Sequence, residues 1–329
     1  MKVFITGAGG FLGSALTRRL RARGDEVTGF ARGRYPDLVD LGVRMIQGDV
    51  GDRAALTAAL AGHDVVVHTA AKAGVWGDPA DYFRTNVEGT ENLIAACRAA
   101  GVDRLVYTSS PSVVFTGRDQ ENLDESAPYP DHYEAAYPET KAKAEQAILA
   151  ANGPSLATVA LRPHLIWGPG DPHIAPRLVE RARTGRLRIV GSGNNMVDAT
   201  YIDNAAHAHV LAVDRLRPGH PCAGRAYFIA NGEPMPLWDL INAIVTAYGA
   251  PATTRRAPTW AALALGAALE KVHRWLNWPG EPILTRFVAR EMATSHWFNL
   301  SAAQRDLEYV PLVSVAEGLQ RLRAAARPG

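Results

Sequence analysis

Tyr137 and Lys141 stand four residues apart in Tyr137-Pro138-Glu139-Thr140-Lys141, a pairing that could move a proton. On a helix, positions four apart share a face, so the phenol and the ammonium turn into one cleft. A nearby cation lowers a phenol pKa, which makes the tyrosine a workable acid or base near neutral pH. Ten tyrosines and five lysines in 329 residues would give about 0.15 such pairs by chance. Earlier in the chain, Tyr107-Thr108-Ser109-Ser110-Pro111-Ser112 offers a run of hydroxyls at the end of a strand pattern. Ligands of open parallel sheets lie beyond the strand C-termini, so a hydroxyl there faces a substrate carbonyl, although serine clusters also simply end strands.

A second chemistry is written in Thr6-Gly7-Ala8-Gly9-Gly10-Phe11-Leu12-Gly13, between a strand and a helix. Glycines there let the backbone turn tightly and approach a pyrophosphate, whose charge meets the helix N-terminus. The glycines fall at 7, 10 and 13; the commoner dehydrogenase spacing would need them at 7, 9 and 12. Gly7, Gly10, Phe11, Leu12 and Gly13 are therefore candidate dinucleotide contacts. An NAD site places a carboxylate at the end of the second strand, on the ribose 2′-hydroxyl. Phe30-Ala31-Arg32-Gly33-Arg34 has none. Arg32 instead suits a 2′-phosphate, so NADP(H) is the expected cofactor, unless Arg32 is a solvated surface arginine. Asp49 and Val50, after the third strand, stand where the adenine edge would lie; an aspartate capping the next helix would look the same.

These groups need a scaffold, and strand and helix patterns alternate to supply it. Strands are expected at Lys2–Thr6, Glu26–Phe30, Val43–Gln47, Val65–His68, Arg104–Thr108 and Ala157–Arg162. Helices are expected at Phe11–Arg23, Arg53–Ala61, near Tyr82–Ala100 and near Ala135–Ala151. Such alternation predicts an α/β fold, a Rossmann-type doubly wound parallel sheet, with a smaller, mostly helical C-terminal substrate lobe. Proline and glycine become frequent after Arg162. We expect a dinucleotide-binding domain over 1–165, with a return segment at about 196–230, and a substrate lobe over 166–329.

Composition bounds the partners. An apolar fraction of 47% with 21% charged residues describes a globular chain. A net charge of +2, without runs of like charge, gives no footprint for nucleic acid or a polybasic membrane partner. Cys97 and Cys222 form no metal-ligand spacing and fit a reducing compartment, so no metal site is expected. The strand-like opening Met1–Thr6 runs straight into the glycine turn, and the apolar stretch Trp260–Leu269 is about half a membrane span. The expectation is a cytoplasmic protein without a signal peptide or transmembrane segment.

Together the glycine turn, the serine cluster and the Tyr-Lys pair resemble the extended short-chain dehydrogenase/reductase family over nearly the whole chain. The resemblance implies an oxidoreductase in which Tyr137 and Lys141 are the acid/base pair and cofactor contacts, and Ser110 is the catalytic serine, with Ser109 as the other choice. It makes Ala70-Ala71 the nicotinamide-side turn and adds Pro163 to the cofactor contacts. Asn86, in Thr85-Asn86-Val87-Glu88-Gly89-Thr90, becomes the proton-relay asparagine, though it could simply brace backbone.

Nucleotide-sugar members of that family carry an arginine where this chain has Val197, in Val197-Asp198-Ala199-Thr200-Tyr201-Ile202-Asp203-Asn204. A diphosphate substrate thereby loses its counter-charge. The Thr-Tyr-Ile-Asp-Asn form resembles the 3β-hydroxysteroid dehydrogenase-like branch. Within it, Ala70–Gly77, Leu161–Asp171, Asn231-Gly232-Glu233-Pro234 and Pro279-Gly280-Glu281 resemble reductases of long-chain hydrocarbon (olefin) biosynthesis. That implies NADPH-dependent reduction of 2-alkyl-3-oxoalkanoic acids to the 3-hydroxy acids, and work beside a β-lactone synthetase and a β-lactone hydrolase. It also implies a lipid-like substrate and a homodimer formed through the helices near Tyr82–Ala100 and Ala135–Ala151. Lys72, Trp76, Ser112, His164 and Tyr201 fall on the substrate side, although such residues could equally be lobe core. Lys72, directly after Ala70-Ala71, could hold a β-keto acid's carboxylate, or pair with Asp78 or Asp81. The alternatives are an NAD(P)-dependent 3β-hydroxysteroid or sterol-4-carboxylate dehydrogenase, and a non-catalytic NADP-binding sensor, which would typically lack the tyrosine or lysine.

Overall fold

A computed structural model of the chain describes residues 1–276, 278 and 280–326. Pro279 and the last three residues of the expected lobe lie outside the described residues.

Seven parallel strands form the central sheet: β1 (Lys2–Thr6), β2 (Glu26–Ala31), β3 (Arg44–Gln47), β4 (Val65–His68), β5 (Arg104–Thr108), β6 (Ala157–Pro163) and β7 (Arg225–Ile229). Their spatial order is β7-β6-β5-β4-β1-β2-β3. The order reverses between β1 and β4, which opens a crevice at their C-terminal ends. The strands are apolar on both faces because each face is covered. Val3 and Ile5 of β1, with Val65 and Val67 of β4, enter one core; Phe4 and Val66 enter the other.

Helix α1 (Phe11–Ala22) covers the first core with Leu12, Leu16 and Leu20, four residues apart and buried. Helices α2 (Arg53–Leu60) and α3 (Gly89–Ala100) cover the second, through Leu56, Leu60, Leu93 and Ile94. Helix α4 (Ala136–Ala150) lies between β5 and β6 in the chain and carries the Tyr-Lys pair. Helix α5 (Ile202–Arg215) returns to the sheet beside α1, and α6 (Leu237–Ala247) and α7 (Thr259–Trp275) belong to the C-terminal part.

Two features depart from the sequence expectation. The helix expected near Tyr82–Ala100 begins at Pro79 and passes through a π-helical segment, Phe83–Glu88, before α3. Such widened turns are frequent at functional sites, and this one holds Asn86. A four-stranded sheet of very short strands also forms, with Met235–Pro236, Met196–Val197 and His296–Phe298 from the C-terminal part and Gln120–Leu123 from between β5 and α4. Strands of two to four residues show no alternation long enough to recognise.

Candidate active site

The glycine turn joins β1 to α1 and leans on the turn after β4. Gly7 has φ +70°, and a Cβ there would stand 2.7 Å from the Ala70 amide nitrogen. A Cβ on Gly13 would meet the Gly7 carbonyl oxygen at 2.1 Å. Larger residues at either position would break the turn. Gly10 stands at the N-cap of α1, which has no side-chain cap and no acid in its first turn. Its first amides, at Phe11, Leu12 and Gly13, are left for an anion. That uncapped end fits a dinucleotide pyrophosphate, and the close backbone packing at Gly7 and Gly13 fixes the turn that presents it.

Arg32 follows β2 directly and is exposed; its carbonyl accepts a hydrogen bond from Gln47 Nε2 at 2.8 Å. No carboxylate pairs with its guanidinium among the described residues. Asp49 is exposed and accepts from the Gly51 amide at 2.8 Å, while Asp52 is the residue that caps α2. Val50 is buried, and Pro163 ends β6.

On α4, Tyr137 is half-buried and Lys141 is buried. The sequence expectation that Lys141 lowers the phenol pKa is not met. Burial pushes Tyr137 up to about 12, and the only opposing influence is a hydrogen bond with the Ser110 hydroxyl. Burial also drives Lys141 down to about 7. Its Nζ donates to the Thr108 carbonyl at 2.5 Å and lies 4.2 Å above the Tyr107 ring. Desolvation is the largest influence on both groups.

Ser110 and Ser112 share a hydrogen bond of 2.9 Å. The Ser109 hydroxyl is buried without a partner among the described residues, and its amide donates to Leu161. Ser110 is thus the serine beside Tyr137. Asn86 Oδ1 accepts from the Lys72 amide at 2.7 Å, and Nδ2 donates to Thr140 Oγ1 of α4 at 3.0 Å. Asn86 braces the backbone after Ala70-Ala71 and ties it to α4. Lys72 Nζ pairs with Asp81 at 2.8 Å. Trp76 is half-buried against His273 and Arg274 of α7.

Two expected substrate residues are packed as core. His164 is buried, gives its Nδ1 to the Asp198 carbonyl at 2.8 Å, and is driven down to about 3 by burial. Tyr201 is buried against Trp167 and Gly318 of the C-terminal helix. A substrate contact from either would require that packing to open.

Sequence reasoning misses two residues. Glu145 continues the four-residue row Tyr137, Lys141, Glu145 and is fully buried. It takes two hydrogen bonds from Arg162 of β6, at 2.9 and 2.6 Å, and one from Tyr129 at 2.6 Å. That network fixes α4 to the sheet, and the spacing is its available signal. Glu291, the last residue of the helix Arg286–Glu291, is pushed up to about 7 by burial, and its charge raises Tyr137. Nothing in its local sequence marks it, because only the folded C-terminal part brings it near α4.

The fold and the Ser110-Tyr137-Lys141 site define an extended short-chain dehydrogenase/reductase, an oxidoreductase. Within that class the chain belongs to the 3-beta hydroxysteroid dehydrogenase/isomerase family, which matches residues 4–258. It is 53% identical to the 2-alkyl-3-oxoalkanoate reductase of Stenotrophomonas maltophilia, over 99% of both chains. It is 51% identical to the protein of the same name from Shewanella oneidensis, covering 98% of this chain and 85% of that one. The human sterol-4-alpha-carboxylate 3-dehydrogenase, decarboxylating, is 34% identical over 96% of this chain and 86% of its own. Among solved structures, the Thermus thermophilus UDP-glucose 4-epimerase complex with NAD is 26% identical, with a TM-score of 0.74 over 100% of both chains.

Proposed function

We propose that the chain reduces the 3-oxo group of 2-alkyl-3-oxoalkanoic acids to the 3-hydroxy acids, with NADPH. The observation that carries this reading is the Ser110-Tyr137-Lys141 site in a chain about half identical, end to end, to two reductases of that name. Val197, where nucleotide-sugar enzymes would need an arginine, supports an uncharged chain in place of a diphosphate.

Residues 1–165 with about 196–230 would hold the dinucleotide: the amides of Phe11, Leu12 and Gly13 its pyrophosphate, Arg32 its 2′-phosphate, and Asp49 and Val50 its adenine. Residues 166–329 would close over the substrate. When bound, NADPH supplies the hydride. Ser110 donates a hydrogen bond to the ketone oxygen and orients it toward Tyr137. A phenol near 12 is protonated at neutral pH, so Tyr137 holds the proton that the developing alkoxide takes. Lys141 holds the cofactor ribose, and Asn86 fixes the Lys72 backbone and α4 in register. The Lys72 ammonium is at hand for the acid's carboxylate.

An NADPH-oxidation assay with a racemic 2-alkyl-3-oxo acid beside a 3-oxosteroid tests the reading. Turnover of the acid and little of the steroid is expected. Preferential turnover of the steroid would overturn it in favour of a steroid or sterol dehydrogenase.

A further inference from the structure

Helix α7 is amphipathic in the reverse of the usual sense. Its inward row is Ala262, Gly266 and Glu270, all buried. A Cβ on Gly266 would stand 2.8 Å from the Arg286 amide nitrogen, so the helix lies close against Thr285 and Arg286. Glu270 accepts from the Arg286 amide at 2.7 Å and from its guanidinium at 2.9 Å. The helix therefore turns its one carboxylate inward, and Trp260, Leu265, Val272 and Trp275 out.

The outward row, again at four-residue spacing, is Trp260, Ala264, Ala268, Val272 and Leu276, and every member is exposed. Trp260 is 73% exposed, and Trp275, beside this row, 83%. Soluble surfaces carry scattered apolar residues, but a row of this length with two solvated indoles marks an interaction surface. Lys271 and Arg274 emerge on the same helix, exposed and without a carboxylate partner among the described residues. No run of like charge announces them in the sequence, where Glu270 stands directly before Lys271; the fold turns that carboxylate inward to Arg286.

The C-terminal end of α7 also meets the cleft. His273 packs edge-on to Trp76 at 6.0 Å, and Arg274 lies 5.3 Å over the same indole. Trp76 sits on the loop from Lys72, which Asn86 ties to α4.

We propose that the outward face of α7 seats the enzyme on an anionic lipid surface, with the Trp76 rim of the cleft turned toward it. Indoles settle at the boundary of water and acyl chains, and flanking cations meet anionic headgroups. No helix among the described residues is long and apolar enough to cross a membrane, so the contact lies on the surface. Its purpose, exchange of long-chain acid between bilayer and cleft, rests on the proposed substrate; the seating itself does not.

The test is co-sedimentation of the full chain with phosphatidylcholine vesicles and with phosphatidylcholine–phosphatidylglycerol vesicles, without substrate. Binding to the anionic vesicles is expected, weakened by salt. Trp260→Ala with Trp275→Ala should weaken it at least about tenfold while a short, water-soluble 2-alkyl-3-oxo acid is still reduced at near the normal rate. A chain that leaves both vesicle types unbound overturns the proposal. So does vesicle-independent self-association abolished by the same two substitutions, which would assign the face to a second copy. Vesicle binding by a chain inactive on the acid would keep the seating and refute only the substrate.

Discussion

The ammonium of Lys72 lies 2.8 Å from the Asp81 carboxylate, at the rim where Ala70-Ala71 leaves the sheet. The pair is partly exposed, so the lysine can exchange one carboxylate for another at little cost. Lys72→Met should raise KM for the keto acid about tenfold, the low end for a charge-assisted contact, because Asp81 already competes. NADPH affinity should not move, and an uncharged ketone of similar length should lose little. Steady-state kinetics on the two substrates decide it. Equal losses on both would remove Lys72 as the carboxylate's anchor.

Glu291 gives a pH signature. Its folded pKa of about 7 lies above the ordinary 4.5 because burial disfavours the carboxylate. Between those values the folded chain keeps a proton that the unfolded chain has released, so stability falls as pH rises through that window. Glu291→Gln should remove the decline and be about 1–2 kcal/mol more stable relative to the parent at pH 8 than at pH 4, less than the full shift of the carboxyl would give because solvent screens this half-buried side chain. Urea titrations at the two pH values measure this. A pH-independent difference would mean that Glu291 titrates normally.

Arg32 bears on the choice of nucleotide. Arg32→Asp places a carboxylate where a ribose 2′-hydroxyl would be held and a 2′-phosphate repelled. The ratio of kcat/KM for NADPH over NADH should fall at least about tenfold, the worth of one charge-assisted contact. An unchanged ratio would make Arg32 a solvated arginine.

Arg162 and Glu145 are both buried, and each compensates the other. Glu145→Ala should cost about 3–5 kcal/mol in urea unfolding, because the guanidinium is left uncompensated. The joint replacement Arg162→Met with Glu145→Leu should recover much of that loss. A double variant as unstable as the single one would show that the charges themselves hold α4 in place.

The strands are legible because parallel strands covered on both faces read as short apolar runs; Val65–His68 agrees to the residue. The glycine turn and the Tyr137-Lys141 pair are legible because each is a local spacing. What escapes depends on distance in the chain. A lowered phenol pKa follows from the helix alone, whereas burial by the folded surroundings sets the opposite sign. His164 and Tyr201 lie in segments that suggest substrate, yet His296, Phe298 and Gly318, far along the chain, make them core. The π-helical turn at Asn86 leaves no trace in the apolar periodicity, which resembles that of an ordinary helix.

The central claim is that the Tyr137 phenol supplies the proton for ketone reduction. Tyr137→Phe, measured for NADPH binding by fluorescence titration and for reduction of a 2-alkyl-3-oxo acid, tests it most directly. Binding within about twofold of the parent and a loss of kcat of at least about a hundredfold are expected, the usual weight of a general acid. Near-normal turnover by the phenylalanine variant would contradict the assignment.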